Sequence, residues 1–307
     1  MGRTKKRLLV FMVSLLIIAT TLASFACSGN ESSEATPTPT PQATPVVHET
    51  GMGYAIEAFQ RFPIEWDNGR YIDLTAFRQD TGLASIYEEI NNAAGPGLAS
   101  AGIDLSLVDH VSFVGGKAAV YSGRLDLTGL RPFLSSIGYE RNTYLDVEIW
   151  ISPEQGKSVI TLLPPDSVLI TGNRQDAETC ISVIEGWADS LYDDANIQGL
   201  LSRLPDTPLR VDISHDGDQG PLATAISVTK TGVALETLSL SAFIDDVSAQ
   251  KGLTAVTADF NSRAYAWNMV TVETVQIRSF IKSAGSVNIA NLGKGANPLG
   301  YMTYWLY

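Results

Sequence analysis

The sequence predicts an α+β fold: antiparallel sheets built from hairpins and meanders, helices packed on one face of them, and a C-terminal third that is mostly β. Several segments place apolar residues at the i, i+3, i+4 and i+7 spacing of a helix that covers a core. Other segments alternate apolar and polar residues and are joined by short turns, as in antiparallel hairpins. The alternate positions of these strands are too polar for a doubly wound parallel sheet, which is buried on both faces.

Strand and helix signals alternate in the first part of the folded chain. The expected elements are a strand over residues 66–74, a helix over 83–90, strands over 110–114 and 117–123, and a helix over 130–137. The Gly-Pro-Gly at 95–97 should end the first helix, and the Gly-Gly at 115–116 is a hairpin signal. Asp73 and Asp126, each followed by Leu-Thr, have the side chain that caps a helix N-terminus. The similarity of the two segments indicates either an ancient duplication of a β-α unit or two helices that begin with the same type of capping sequence.

A three-stranded meander and two helices are expected next. Residues 145–151 alternate cleanly, and turns lead from them to strands over 157–163 and 167–171. An apolar stripe from Ala177 to Leu191 predicts a helix with Cys180 in its buried face, and a thiol without a basic neighbour there is structural rather than reactive. A shorter helix is expected over residues 197–204.

The remainder should be mainly strands. The expected strands cover residues 209–214, 224–229, 234–244, 254–261 and 264–273, with a short helix over 275–282 and a final strand in the aromatic-rich segment 301–307. We expect an α+β domain over residues 51–205. Residues 206–307 form either a β-rich domain or a continuation of the same domain.

The N-terminus has the three parts of a secretory signal peptide, predicted over residues 1–26. Four basic residues precede an apolar run over 8–22, and small residues lead to Cys27. A cysteine directly after the cleavage site resembles a bacterial lipoprotein precursor, which implies that Cys27 receives a diacylglycerol anchor on the extracytoplasmic face. In lipoprotein precursors, the three residues before the cysteine follow a typical pattern. Here only Ala26 fits that pattern, whereas Ser24 and Phe25 depart from it. An ordinary signal peptidase would instead release a secreted protein, and a span of roughly 20 residues also suffices for an uncleaved membrane helix.

Residues 27–50 predict a disordered tether. The segment is rich in Thr and Pro and has almost no apolar side chains to bury. Proline favours an extended chain of about 3.1 Å per residue, so the tether would hold a domain several nanometres from the bilayer.

Charge and cysteine content narrow the classes of partner. Loss of residues 1–26 removes four basic residues and no acidic one, so the formal net charge falls from −12 to −16. Nucleic acid as a partner is excluded, because it needs a basic surface. If Cys27 is lipidated, only Cys180 remains as a thiol, so no intramolecular disulfide and no cysteine zinc site is possible.

No motif in the sequence specifies a reaction. The three histidines are His48, His110 and His215, and a triad would have to pair the latter two with a carboxylate such as Asp109 or Asp212. Asp216 and Asp218 form an acidic loop that weakly resembles a calcium loop, although a hairpin turn explains the same residues. We therefore predict no catalytic residue and no cofactor.

The resulting functional prediction is a lipid-anchored, non-enzymatic extracytoplasmic protein that is structural or binds a protein or small-molecule partner. The alternative is a cell-surface hydrolase that acts on glycan or peptide through carboxylates, because an acid/base pair among 33 acidic residues leaves no sequence motif.

Overall fold

A computed structural model describes residues 51–153, 158–215 and 220–292, and within these ranges it contains seven α-helices and twelve β-strands. The helices are α1 (Gly51–Phe59), α2 (Leu74–Gln79), α3 (Ala84–Ser100), α4 (Leu127–Ser136), α5 (Arg174–Ile184), α6 (Ala195–Leu201) and α7 (Asp246–Ala266). The strands are β1 (Asn68–Asp73), β2 (Val108–Val114), β3 (Ala118–Gly123), β4 (Glu140–Tyr144), β5 (Val147–Ile151), β6 (Val159–Leu163), β7 (Ser167–Thr171), β8 (Arg210–His215), β9 (Ala223–Thr231), β10 (Ala234–Ala242), β11 (Thr271–Ile277) and β12 (Phe280–Asn288).

All twelve strands belong to one sheet, in the order β11-β12-β10-β9-β8-β1-β2-β3-β7-β6-β5-β4. Every neighbouring pair is antiparallel. The predicted α+β class with antiparallel strands is therefore confirmed. Strand β1 pairs with β2 on one side and with β8 on the other, so the sheet is continuous across residue 205.

Helices cover both faces of this sheet, whereas the sequence suggested one. On one face, α2, α3 and α4 bury a core around Ile72, Val111 and Leu134. On the other, α1, α5 and α6 bury a second core around Tyr71 and Val211. The alternation of a strand explains the arrangement, because Tyr71 and Ile72 are neighbours in β1 and point to opposite faces. Full burial of one large apolar side chain contributes about 1.5–3 kcal/mol to folding.

Several predicted elements are confirmed. The hairpin of β2 and β3 and the meander of β5, β6 and β7 have the expected strands. Asp73 caps α2 by accepting a hydrogen bond from the amide of Ala76, and Asp126 caps α4 in the same way. Cys180 is fully buried on α5, and burial raises the pKa of its thiol, with Asp176 adding to the effect. A raised thiol pKa is the opposite of what a reactive cysteine needs.

Three helix and strand limits differ from the prediction. Helix α3 continues through Pro96, and Leu98 after the proline is buried in the core. The helix ends before Gly102, which has a φ of +79°. The segment at 145 is a hairpin turn, since Leu145 and Asp146 both have positive φ, and the residues before it form β4. Helix α5 ends at Ile184, so Trp187 lies outside the expected buried stripe and is 75% exposed.

The largest correction concerns residues 246–288. The 21-residue helix α7 replaces the expected strand over 254–261 and the first residues of the one over 264–273, of which only 271–273 are in a strand, β11. The expected helix over 275–282 lies within strands β11 and β12. Asp245 begins α7 by accepting a hydrogen bond from the amide of Ser248. The predicted final strand over 301–307 lies outside the described residues. Within the described ranges, no helix combines the length and the apolarity that crossing a bilayer requires.

A close backbone approach at Gly123 gives the first testable prediction. A Cβ atom on Gly123 would lie 2.3 Å from the carbonyl oxygen of Leu107 and 2.6 Å from the amide nitrogen of Asp109, beside the irregularity that shifts the β2–β3 register. Because backbone atoms cannot swing away, Gly123→Ala should lower the free energy of unfolding by about 1–3 kcal/mol in urea denaturation. In α6, a Cβ atom on Gly199 would have no described residue within 4 Å apart from its chain neighbours and the backbone of its own helix. Gly199→Ala should therefore raise the free energy of unfolding by about 0.4–1 kcal/mol, and a loss of similar size in both variants would contradict the prediction.

Candidate functional site

A cavity of about 560 Å³ lies between α7 and the sheet, and we call it the α7 cavity. Its floor is formed by residues on one face of the central strands. Register places them together: Arg70 of β1 lies opposite Asp212 of β8, Asp212 opposite Ile226 of β9, and Ile226 opposite Ser239 of β10. Its roof is formed by side chains of α7: Ala255, Val256, Asp259, Phe260 and Arg263.

The cavity exists because α7 is tightly packed at its beginning and loosely packed after it. Ala249 packs with Phe243 and Ile281, and Gly252 leaves no room for a Cβ atom, which would lie 2.5 Å from the Phe243 ring. Further along, the helix faces strands that present short hydroxyl side chains such as Ser239 and Ser241. Side chains of this size do not fill the space beneath the helix.

Two residues of the floor, Arg70 and Asp212, form an ion cluster with Arg210, which is buried next to them and does not itself line the cavity. Arg70 donates to Asp212 through Nε (2.5 Å to Oδ1) and Nη2 (3.1 Å to Oδ2). Arg210 donates to the same two oxygens through Nε (2.9 Å) and Nη2. Burial by itself raises the pKa of Asp212, but the two arginines outweigh it, so the pKa lies below its ordinary value. Burial lowers the pKa of Arg70, with Arg210 adding to this and Asp212 opposing it, and a guanidinium nevertheless stays protonated at neutral pH.

The roof adds a second pair of charges and an apolar surface. Asp259 and Arg263 of α7 are one helical turn apart and form an ion pair of 2.9 Å between Arg263 Nε and Asp259 Oδ2. Phe260 between them is buried. The cavity thus has a polar side at the sheet and a partly apolar side at the helix.

A smaller cleft of about 300 Å³ lies on the opposite face of the sheet, beneath α1, and we call it the His110 cleft. The His110 ring is stacked on Tyr54, with 4.1 Å between ring centroids, and its Nδ1 is 2.9 Å from the hydroxyl of Tyr71. Burial raises the pKa of Tyr71, so its phenol is neutral. Burial also raises the pKa of Asp73, although its bond to Ala76 and the nearby His110 oppose this.

The structure brings together few of the residues named from the sequence. Asp109 accepts hydrogen bonds from Arg78 (2.6 Å) and Thr75 (3.0 Å), and Asp212 bonds to arginines, so neither is the carboxylate partner of a histidine. His215 Nδ1 is 4.0 Å from Asp194, too far for a hydrogen bond. Cys27, the weak metal candidates Asp216 and Asp218, and His48 lie outside the described residues. Within the described ranges, no group of three His, Cys, Asp or Glu side chains could hold a metal ion.

Arg70, Arg210 and the α7 roof were not predicted from the sequence. One signal was available: Arg210 and Asp212 alternate with Val211 and Ile213, so two charges share one face of a strand that was expected to be half buried. Such a pair indicates a buried ion cluster, but it does not show which partner lies opposite.

The fold and the site define an α+β protein with a twelve-stranded antiparallel sheet and a mixed polar and apolar cavity under its longest described helix. No protein-family model matches the chain, and no curated protein matches it. Among solved structures, it is similar to crystal form III of a protein designated TP0453, at 8% identity over 75% of this chain and 94% of that chain, with a TM-score of 0.48. Crystal form I is 11% identical over 81% and 97% of the two chains, with a TM-score of 0.47. Similarity at this level supports no argument about function.

Proposed function

We propose that this protein is a lipid-anchored extracytoplasmic binding protein that holds a small organic ligand in the α7 cavity. The observation that supports the proposal is the cavity itself. Its volume of about 560 Å³ falls in the range of small-molecule sites, roughly 300–1,000 Å³. Its lining combines apolar side chains with a few convergent polar groups, which is the usual composition of such sites.

Binding is favoured over catalysis in this cavity because its carboxylates already have partners. Asp212 accepts bonds from two arginines, and Asp259 is paired with Arg263. A general acid or base needs a pKa close to the working pH, whereas the pKa of Asp212 is shifted the other way, below its ordinary value. The described residues that line the cavity include no histidine and no cysteine.

Filling the cavity tests the proposal. Ala255 lines the cavity, whereas Ala258, on the same helix and also exposed, does not. Ala255→Phe should weaken binding of the fluorescent apolar probe N-phenyl-1-naphthylamine at least about tenfold, which corresponds to about 1.4 kcal/mol. Ala258→Phe puts the same ring on the outer side of α7 and should leave the affinity unchanged.

Native mass spectrometry of the full-length chain gives an independent readout. A ligand that is retained during gentle purification should add the same mass to the wild type and to Ala258→Phe, and this mass should be absent from Ala255→Phe. Equal probe binding by all three chains, or no saturable binding by the wild type, would refute the proposed binding site.

The predicted alternative, a cell-surface hydrolase, is a second proposal, and the His110 cleft is the place that favours it. The carboxyl of Asp73, whose pKa is raised, lies 3.9 Å from Nδ1 of His110, and such perturbed groups concentrate at active sites. Two other carboxylates of the cleft argue against a hydrolase, because each already has an arginine as partner. Glu57 is bonded to Arg61 at 2.5 Å, and Asp109 is bonded to Arg78. Hydrolysis of a glycan or peptide that is lost in His110→Asn but kept in Ala255→Phe would favour this alternative.

A further inference from the structure

One guanidinium in the floor of the α7 cavity, that of Arg70, shares its counterion with a second guanidinium. Two guanidinium groups, Arg70 and Arg210, share the single carboxylate of Asp212, and each bonds to both of its oxygens. The side chains of Arg70 and Asp212 are each only 18% exposed. In such a partly buried place, a cation without a full counterion is costly unless another partner neutralises it.

Arg70 also has a donor without a partner. Its Nη1 atom is buried and makes no hydrogen bond to any residue that the structure describes. The guanidinium lies over the ring of Phe113, with Cζ 5.5 Å from the ring centroid, and this cation–π contact offsets part of the desolvation of the charge. A ring face does not replace a charge-assisted hydrogen bond, which is roughly twice as strong as a neutral one.

The other charged side chains that line the cavity, among the residues that the structure describes, have their partner on the helix. Asp259 and Arg263 of the roof form a pair with each other. The remaining polar side chains that the structure describes in the floor are neutral: they are the amide of Asn68 and hydroxyls that include Thr224 and Ser241, whose oxygens are 3.3 Å apart. Arg70 lines the cavity directly, and one of its donors, Nη1, has no acceptor among the described residues.

We propose that the ligand of the α7 cavity is an organic anion, whose anionic oxygens accept hydrogen bonds from Arg70 and whose apolar body lies against Phe260 and Val256. This inference rests on the proposed binding function and names the ligand class of the same site. A guanidinium suits this role because its planar set of donors matches a carboxylate or a phosphate. The row of hydroxyls beside it supplies further donors for the same oxygens.

Two probes that share one ring system test the inference. 1-Anilinonaphthalene-8-sulfonate has the skeleton of N-phenyl-1-naphthylamine plus one sulfonate. In Arg70→Gln, the affinity for the sulfonate probe should fall about tenfold while that for the neutral probe is kept, as expected for the loss of one charge-assisted hydrogen bond. Arg70→Lys preserves the charge and should keep most of the preference for the anion. Both variants leave Asp212 paired with Arg210.

The outcomes separate this inference from the proposed function. Suppose that Ala255→Phe weakens binding of the neutral probe, but the affinity ratio of the two probes is the same in wild type and Arg70→Gln. The inference of an anionic ligand is then wrong, and the proposed binding cavity is supported. If neither probe binds the wild type, both proposals fall. Should Arg70→Gln not fold, the wild type decides by competition against the neutral probe. There 4-phenylbutyrate must displace it at lower concentration than 4-phenylbutanol, and the reverse order would overturn the inference.

Discussion

Replacing Asp212 with asparagine is expected to lower the free energy of unfolding by about 3–5 kcal/mol, because it removes the carboxylate that two adjacent guanidinium groups share. The side chain of Arg210 is 5% exposed and that of Arg70 18%, so water does little to screen their repulsion. Urea unfolding followed by circular dichroism measures the loss. Asp259→Asn breaks an exposed ion pair instead, and it should cost less than about 1 kcal/mol.

The pH dependence of the same variant gives a second check with a definite sign. Because the pKa of Asp212 is lower in the folded chain than its ordinary value, the carboxylate stabilises the fold above the unfolded-state pKa of about 3.9. That contribution is lost as the pH falls through the lower, folded-state pKa. The difference in stability between wild type and Asp212→Asn should therefore be full at neutral pH and shrink below about pH 4. A difference that is small at pH 7, or that grows in acid, would mean that the cluster is not held by its carboxylate.

The ion cluster shows where prediction from sequence reaches its limit. Arg70 and Asp212 are 142 residues apart, and they meet only because β1 pairs with β8, between elements that lie far apart in the chain. Hairpins are specified by their own turns, so β2 with β3 and the β5–β7 meander could be predicted locally. Pairing between distant strands depends on how complete faces of the sheet bury their apolar residues, and a single sequence does not specify it.

Helix α7 illustrates a different failure. Its segment is rich in Thr, Val and Ala, and the β-branched residues around Val256 favour a strand by local propensity. The helical spacing of Ala249, Leu253, Val256 and Phe260 is present, but the inner side has few large apolar groups. Because the inner side has few large apolar side chains, the helix was difficult to predict from the sequence. For the same reason, the folded helix has a cavity beneath it. The segment that was hardest to assign is thus the one that builds the candidate site.

Replacing Cys27 with serine should move the protein completely from the membrane fraction to the soluble fraction. This cysteine directly follows the predicted signal peptide over residues 1–26, where a diacylglycerol chain would be attached. The formal net charge of −16 after loss of residues 1–26 disfavours electrostatic binding to anionic lipid. Fractionation of cells that express the two chains, with immunoblotting, makes the comparison.

Cys180→Ala is the matched control, because it removes the other cysteine of the chain while leaving Cys27 in place. Cys180 is fully buried, so its loss affects packing and not attachment, and this variant should stay in the membrane fraction. Intact mass then separates the remaining possibilities. A Cys27→Ser chain that stays in the membrane and keeps residues 1–26 would identify an uncleaved helix as the anchor. A wild-type chain that begins at an unmodified Cys27 and is released would identify ordinary signal peptidase cleavage. Either result would replace the lipid anchor while leaving the α7 cavity, and the tests of its ligand, unaffected.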